Sequence, residues 1–191
     1  MIDIATFYQV RSEFGHFASW AVWADQGMNP KDGIADLDPL DPNKNPELLR
    51  TIHADAILVG LNISRRIDRP FGNFHDPRPM ATDFKIRHAL KDSILWGAYM
   101  TDIIKNFEQK ASGKMMTYLR RNKDFEKDNI AQFIEEISSL GVSDPLLVAF
   151  GKDAEAVLRR NLKNEFRIFG VPHYANYSSK ENYRDQVLQN L

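Results

Sequence analysis

The sequence predicts a three-layer α/β domain, in which a central parallel sheet of four strands lies between helices. Two observations lead there. Four short apolar runs recur along the chain, at residues 55–61 (DAILVGL), 94–101 (ILWGAYMT), 145–150 (PLLVAF) and 166–171 (FRIFGV). Helical segments at 82–91, 128–140 and 153–162 fall between them. Strand alternating with helix gives parallel strands, because each crossover helix returns the chain to the same end of the sheet. The first and third runs are almost continuously apolar, as strands covered on both faces are. With 191 residues, the chain suits one domain spanning 1–191.

The remaining elements follow in order. Phe7, Phe14, Phe17 and Trp20 stand near helical spacing, so the N-terminal stretch reads as one or two amphipathic helices. Residues 28–46 are rich in Pro, Asp and Asn and read as a long loop. Residues 1–50 thus form a helix-and-loop extension packed on the core. Asn45-Pro46-Glu47 reads as a helix start, with Asn as the cap and Pro in the first turn. Gly141 closes the 128–140 helix, and Gly151 turns the third strand into the next helix.

Composition narrows the function classes. Hydrophobic residues make up 43% of the chain, enough for a core. A formal net charge of -1 means that any phosphate-gripping surface must be local. Candidate sources are Arg65, Arg66 and Arg69 after the first strand, and Lys105, Lys110, Lys114, Arg120 and Arg121 after the second. The absence of cysteine excludes disulfides, thiolate-bound iron–sulfur clusters and a cysteine nucleophile. No apolar run approaches the ~20 residues of a membrane span, and the N-terminus lacks the pattern of a signal peptide, so the expected location is cytoplasmic. His53, His75 and His88 with Asp76 and Asp83 lack paired ligand spacing on a helix face, so no metal site is expected. No cofactor is expected either, since no phosphate-cradling Gly-rich loop is present.

Ligands of open parallel sheets bind at the carboxyl ends of the strands, so the residues there are the candidates. The first strand leads into Gly60-Leu61-Asn62-Ile63-Ser64 and then Pro70-Phe71-Gly72-Asn73-Phe74-His75. The second ends in Tyr99-Met100-Thr101-Asp102, and the fourth in Val171-Pro172-His173-Tyr174-Ala175-Asn176-Tyr177. In this order the segments resemble the motifs of the uracil-DNA glycosylase superfamily, over roughly residues 55–177. Gly60 to Ser64 is similar to its first motif, which reads Gly-x-Asn-Pro-Gly in the mismatch-specific and single-strand-selective branches. Pro70-Phe71-Gly72 is similar to the Pro-Phe-Gly that follows. Residues 99–105 resemble the strand that ends in Thr-Asn, and residues 171–177 stand in place of the His-Pro-Ser motif.

The resemblance implies a fold of that superfamily and a monomeric partner of DNA that removes a damaged or mispaired base. It implies catalytic roles for Asn62, which places a water, and His173, which donates to the leaving base. It implies base contacts from Gly60, Leu61, Phe71, Gly72 and Asp102, with Phe71 as the stacking platform. It implies DNA contacts from Ser64, Arg65, Tyr174, Asn176 and Tyr177. These residue types suit the chemistry, since hydrolysis of a glycosidic bond needs a positioned water and a donor for the departing base. By the same reasoning a carboxylate at position 62 makes a stronger catalyst than Asn. Three departures stand out: Ile63 and Ser64 replace Pro and Gly, Tyr174 and Ala175 replace Pro and Ser, and Asp102 replaces the base-reading Asn. An ionised Asp only accepts hydrogen bonds and therefore suits a base edge that presents donors. Two readings of Asp102 are open, a base-reading carboxylate and a cap on the following helix. A member of the fold that binds a nucleobase without cleaving it is the alternative to an active glycosylase.

Overall fold

A computed structural model describes residues 2–105 and 107–189. Among them the strands are β1 (Ser19–Trp20), β2 (His53–Asn62), β3 (Ala98–Ile104), β4 (Leu146–Phe150) and β5 (Ile168–Val171). The helices are α1 (Ile4–Glu13), α2 (Leu48–Thr51), α3 (Asp83–Leu90), α4 (Ser112–Arg121), α5 (Lys123–Ser139), α6 (Lys152–Leu162) and α7 (Lys180–Leu188). One five-stranded sheet has the order β1-β3-β2-β4-β5. Strands β2 to β5 are parallel, and β1 pairs antiparallel with β3. The sheet thus has one strand more than the four expected.

Alternation along the strands sorts the core into two layers. Ile57, Val59, Tyr99, Ile103, Leu147 and Ala149 face one apolar cluster, together with Phe7 and Val10 of α1, Phe133 and Ile137 of α5, and Val157 and Leu158 of α6. Leu58, Met100, Val148 and Phe150 face the other, with Ile86 and Leu90 of α3 and Tyr183 and Val187 of α7. Helices therefore cover both faces. Leu40 and Leu48 join the first cluster and Ile34 the second, so the N-terminal fifty residues belong to the same core.

Several boundaries differ from the sequence reading. Trp20 sits in a strand, where its ring meets Tyr99 at 4.8 Å, because the aromatic spacing that fits a helix also fits a short edge pairing. Residues 94–97 form a turn before β3, which instead runs on to Ile104. Helix α2 starts only at Leu48, and Asn45 does not cap it; its Nδ2 donates to the Pro39 carbonyl at 2.9 Å. Helix α5 begins five residues earlier than the apolar pattern indicates, with Asp124 and Glu126 in its first turn, where the helix dipole favours acids. Gly141 and Gly151 both take positive φ (69° and 88°) at the turns they were expected to make.

Buried cations fasten the loops to this frame. Lys85 of α3 donates to the carbonyls of Asn176 and Ser178, both at 2.7 Å, and so fixes the loop after β5. Arg87 holds the carbonyls of Ala24, Pro30 and Asp32 and ties the N-terminal loop to the same helix. Beneath β3, Lys105 pairs with Glu136 of α5, both almost fully enclosed. Tyr99 Oη donates to the other oxygen of Glu136 at 2.7 Å, and Lys105 also donates to Thr101 Oγ1 at 2.9 Å. Fully bonded pairs of this kind are tolerated in a core, whereas a lone buried charge is not.

Candidate functional site

The carboxyl ends of β2, β3, β4 and β5 open on a cleft of about 1010 Å³. Gly60, Leu61 and Asn62 enter it from β2, Asp102 from β3, Phe150 and Gly151 from β4, and His173 and Tyr174 from the loop after β5. Asp76 and Asp83 close a further side, and Arg78, Lys110 and Lys152 also line it. A cleft at strand ends is what a parallel sheet with alternating crossovers produces.

Asp102 lies within β3, opposite Gly60 in the sheet register. The next helix begins only at Ser112, so the capping role is excluded and the carboxyl belongs to the cleft. Its Oδ2 accepts from Asn73 Nδ2 at 2.8 Å, while Oδ1 receives no hydrogen bond from a described residue. That Oδ1 lies over Gly60, where a Cβ would collide with it, so only glycine leaves room for the carboxyl. Burial is the main cause that pushes the Asp102 carboxyl up to about 7, against the opposing pull of the Asn73 hydrogen bond and the Lys105 charge.

Asn73 itself is held from three directions. Its Nδ2 also donates to the Phe17 carbonyl at 2.7 Å, and its Oδ1 accepts from Phe74 N at 3.1 Å. Phe71 and Phe74 on either side both adopt left-handed backbone, with φ of 63° and 62°. That conformation is unfavourable for bulky residues and persists only where the surroundings impose it. Phe71 N donates to Gly15 O at 2.7 Å and Phe71 O accepts from Ser19 Oγ at 2.9 Å, which supplies the constraint. His75 anchors the end of this loop. It is enclosed and held neutral, with desolvation driving its pKa down to about 3.

Asn62 at the end of β2 donates Nδ2 to three carbonyls: Ile63 at 2.7 Å, Gln109 at 2.8 Å and Phe107 at 3.2 Å. The amide therefore straps the segment after β3 to the end of β2, and its Oδ1 accepts no hydrogen bond from a described residue. A carboxylate at position 62 would set its oxygens against those three carbonyls.

His173 packs its Cβ over Gly151, whose positive φ and missing side chain make that approach possible. Its Nδ1 accepts from Ala175 N at 3.0 Å, so the neutral ring carries its proton on Nε2. Desolvation lowers the His173 pKa, partly offset by Asp153. A neutral N–H donor at the cleft wall is the result.

The other expected site residues divide. Ser64 and Tyr174 line the cleft with Gly60, Leu61, Asn62, Asp102 and His173. Phe71 does not; its ring is 1% exposed and packs on Phe7 at 5.5 Å, so it is core and not a stacking platform. Gly72 closes a turn onto Arg69 O at 2.9 Å, outside the cleft lining. Arg65 sits behind the cleft with Nε 3.4 Å from Asp76 Oδ2. Asn176 folds its Oδ1 onto Ser178, and Tyr177 projects fully into solvent. Tyr174 turns inward, stacked on His173 at 4.3 Å and edge-on to Phe150 at 5.3 Å, so the aromatic wall consists of Tyr174 and Phe150. The suspected electropositive face also shrinks, because Lys105 is buried on Glu136 and Arg69 donates to Ala35 O.

Sequence reasoning gave Asn73 no role and weighed Asp76 and Asp83 only as metal ligands, not as cleft residues. Asp83, in the first turn of α3, accepts from Asp76 N at 2.8 Å and is raised to about 6, chiefly by burial. Asp76 receives Arg78 at 2.6 Å. The available signal was the Asn between two aromatics in Phe71-Gly72-Asn73-Phe74 and the run of acids leading into α3. Among the described residues no three His, Asp or Glu side chains converge in the manner of a metal site. No helix of the described residues is long and apolar enough to cross a membrane. No protein-family model, curated protein or solved structure matches this chain.

Proposed function

We propose that this chain is a DNA glycosylase-like protein of the uracil-DNA glycosylase type, which binds a damaged or mispaired base and hydrolyses its N-glycosidic bond. The observation that carries this reading is the meeting of Asn62, Asp102 and His173, from the ends of β2 and β3 and the loop after β5, in one cleft. A nucleotide rotated out of a DNA stack fits a cleft of this size.

In this reading Asn62 Oδ1 accepts a hydrogen bond from a water and aims its oxygen at the anomeric carbon. The water oxygen bonds to that carbon as the carbon–nitrogen bond breaks, and the electron pair of that bond leaves with the base. His173 Nε2–H donates to the departing base. Asn62 removes no proton, so the proton of the water passes to solvent, and the rate rests on orientation and on the quality of the leaving group. Lys110 and Lys152 are exposed and line the cleft, and in this reading they would hold the DNA backbone.

One feature favours the alternative, a protein that binds a nucleobase without cleaving it. The Asp102 carboxyl faces the space where an anionic base would depart.

The test is incubation of the protein with oligonucleotides that carry uracil, hypoxanthine, xanthine or mispaired thymine, followed by chromatography of released base. The expected result is release of at least one base, slowed roughly 100-fold or more in Asn62→Ala/His173→Ala, as for loss of oriented water and donor. Binding of the same oligonucleotides without release would establish the non-cleaving alternative. Neither binding nor release would overturn both.

A further inference from the structure

Charge in the cleft is sorted by depth. Asp102 and Asp83 are 3% and 7% exposed, whereas Lys110, Lys152 and Arg78 lie at the surface. Arg78 is also taken up by Asp76, at 2.6 Å. The interior of the cleft thus presents acceptors and an aromatic wall, and its mouth presents cations.

A pocket that receives a departing anion needs donors at its floor. This floor has the opposite polarity. Asp102 lines the cleft, its Oδ1 accepts no hydrogen bond from a described residue, and the missing side chain of Gly60 gives that oxygen its room. A buried acceptor of that kind is satisfied by a ligand that brings its own hydrogens or positive charge. Tyr174 and Phe150 beside it add the π-systems that attract cations.

We propose that the cleft is built for a base that already carries positive charge, of the N-alkylated purine class. This rests on the glycosylase reading and names its substrate. The chemistry is consistent with the weak machinery around it. Water oxygen bonds to the anomeric carbon, the carbon–nitrogen bond breaks, and its electron pair neutralises the ring, so the base departs uncharged and the proton of the water goes to solvent. No anion forms in the pocket, and Asn62 suffices because the leaving group is good from the start. Burial, with the charges of Glu136 and Asp83, raises the Asp102 pKa, and the Asn73 hydrogen bond and Lys105 lower it, to about 7 in all. At pH 8 the carboxylate form faces the ligand.

Two measurements on the full chain at pH 8 test this. The first is calorimetric titration with 7-methylguanosine and with guanosine, which differ in the methyl group and its charge. The second is chromatography of base released from oligonucleotides that carry 7-methylguanine, uracil or hypoxanthine. The methylated nucleoside is expected to bind about tenfold tighter or more, the low end for a hydrogen bond to a charged group, with the preference lost in Asp102→Asn. 7-Methylguanine is expected to leave faster than either neutral base. Faster release of uracil or hypoxanthine would overturn this inference and leave the glycosylase reading standing. Preference for the methylated nucleoside with no release from any oligonucleotide would keep the cation pocket and overturn hydrolysis. Equal binding of the two nucleosides with no release would overturn both. The wild-type comparison decides the matter even if Asp102→Asn fails to fold.

Discussion

Asp102 destabilises the fold whenever it is ionised. Its carboxyl titrates at about 7 in the folded chain, against about 3.9 in an unfolded one. A raised folded-state value means that its favourable contribution is complete below about pH 3.9 and is lost as pH climbs through 7. Asp83, at about 6, acts with the same sign, and His75, at about 3, with the opposite one. His75 contributes stability above about pH 6.5 that fades as pH falls. Asp102→Asn keeps the shape and an acceptor for Asn73, so it is expected to raise the melting temperature at pH 8 by roughly 3–8 °C. The gain should shrink towards pH 5. Thermal melts at the two pH values measure it, and an equal effect at both would mean that the carboxyl is already neutral at pH 8. The sequence alone carried the identity of this residue but not its state, because the state depends on Asn73 and on the burial imposed by a distant loop. Phe71 failed for a related reason. Its Pro-Phe-Gly context is legible, but left-handed backbone at residue 71 turns the ring towards α1 and away from the cleft.

At the scale of elements, two of the hydrogen bonds of Asn62, to the Phe107 and Gln109 carbonyls, join the end of β2 to the segment after β3. Removing them in Asn62→Ala should loosen residues 107–111 while β2 and β3 stay intact. Hydrogen exchange at the Gln109 amide, which donates to Ile63 O at 3.2 Å, should quicken by roughly tenfold or more, the equivalent of about one lost net hydrogen bond. Unchanged exchange there would show that the strap is held by other contacts. The parallel strands and the helices α3 and α6 were readable because long apolar runs and helical periodicity speak for themselves. Strand β1 was not. It is two residues long, and its partners Tyr99 and Met100 lie some eighty residues onward, so no local pattern announces the pairing. The end of β3 was misplaced because Asp102 looks like a loop residue, and only its burial against Asn73 makes it compatible with a strand of the sheet.

For the whole molecule, the Lys105–Glu136 pair bridges the sheet and α5 beneath the cleft floor. Lys105→Met leaves Glu136 enclosed without its cation, and the expected loss in denaturant unfolding is about 3–5 kcal/mol. Lys105→Met/Glu136→Leu should recover much of this, since two apolar groups leave no lone charge. If the double variant is no more stable than the single one, the pair serves packing and not charge balance. The order of the sheet also governs how the chain assembles. Residues 1–50 contribute Phe7, Trp20 and Leu48 to the core, where Phe7 meets Phe71 and Trp20 meets Tyr99, both far along the chain. Strand β1 has no edge to pair with until β3 exists. Closing so long a loop is slow, and contacts of this kind form late. The parallel strands would then collapse first with the flank of β3 still open, and antiparallel docking of β1 would seal it as a final step, making the N-terminal segment a latch on an already collapsed sheet.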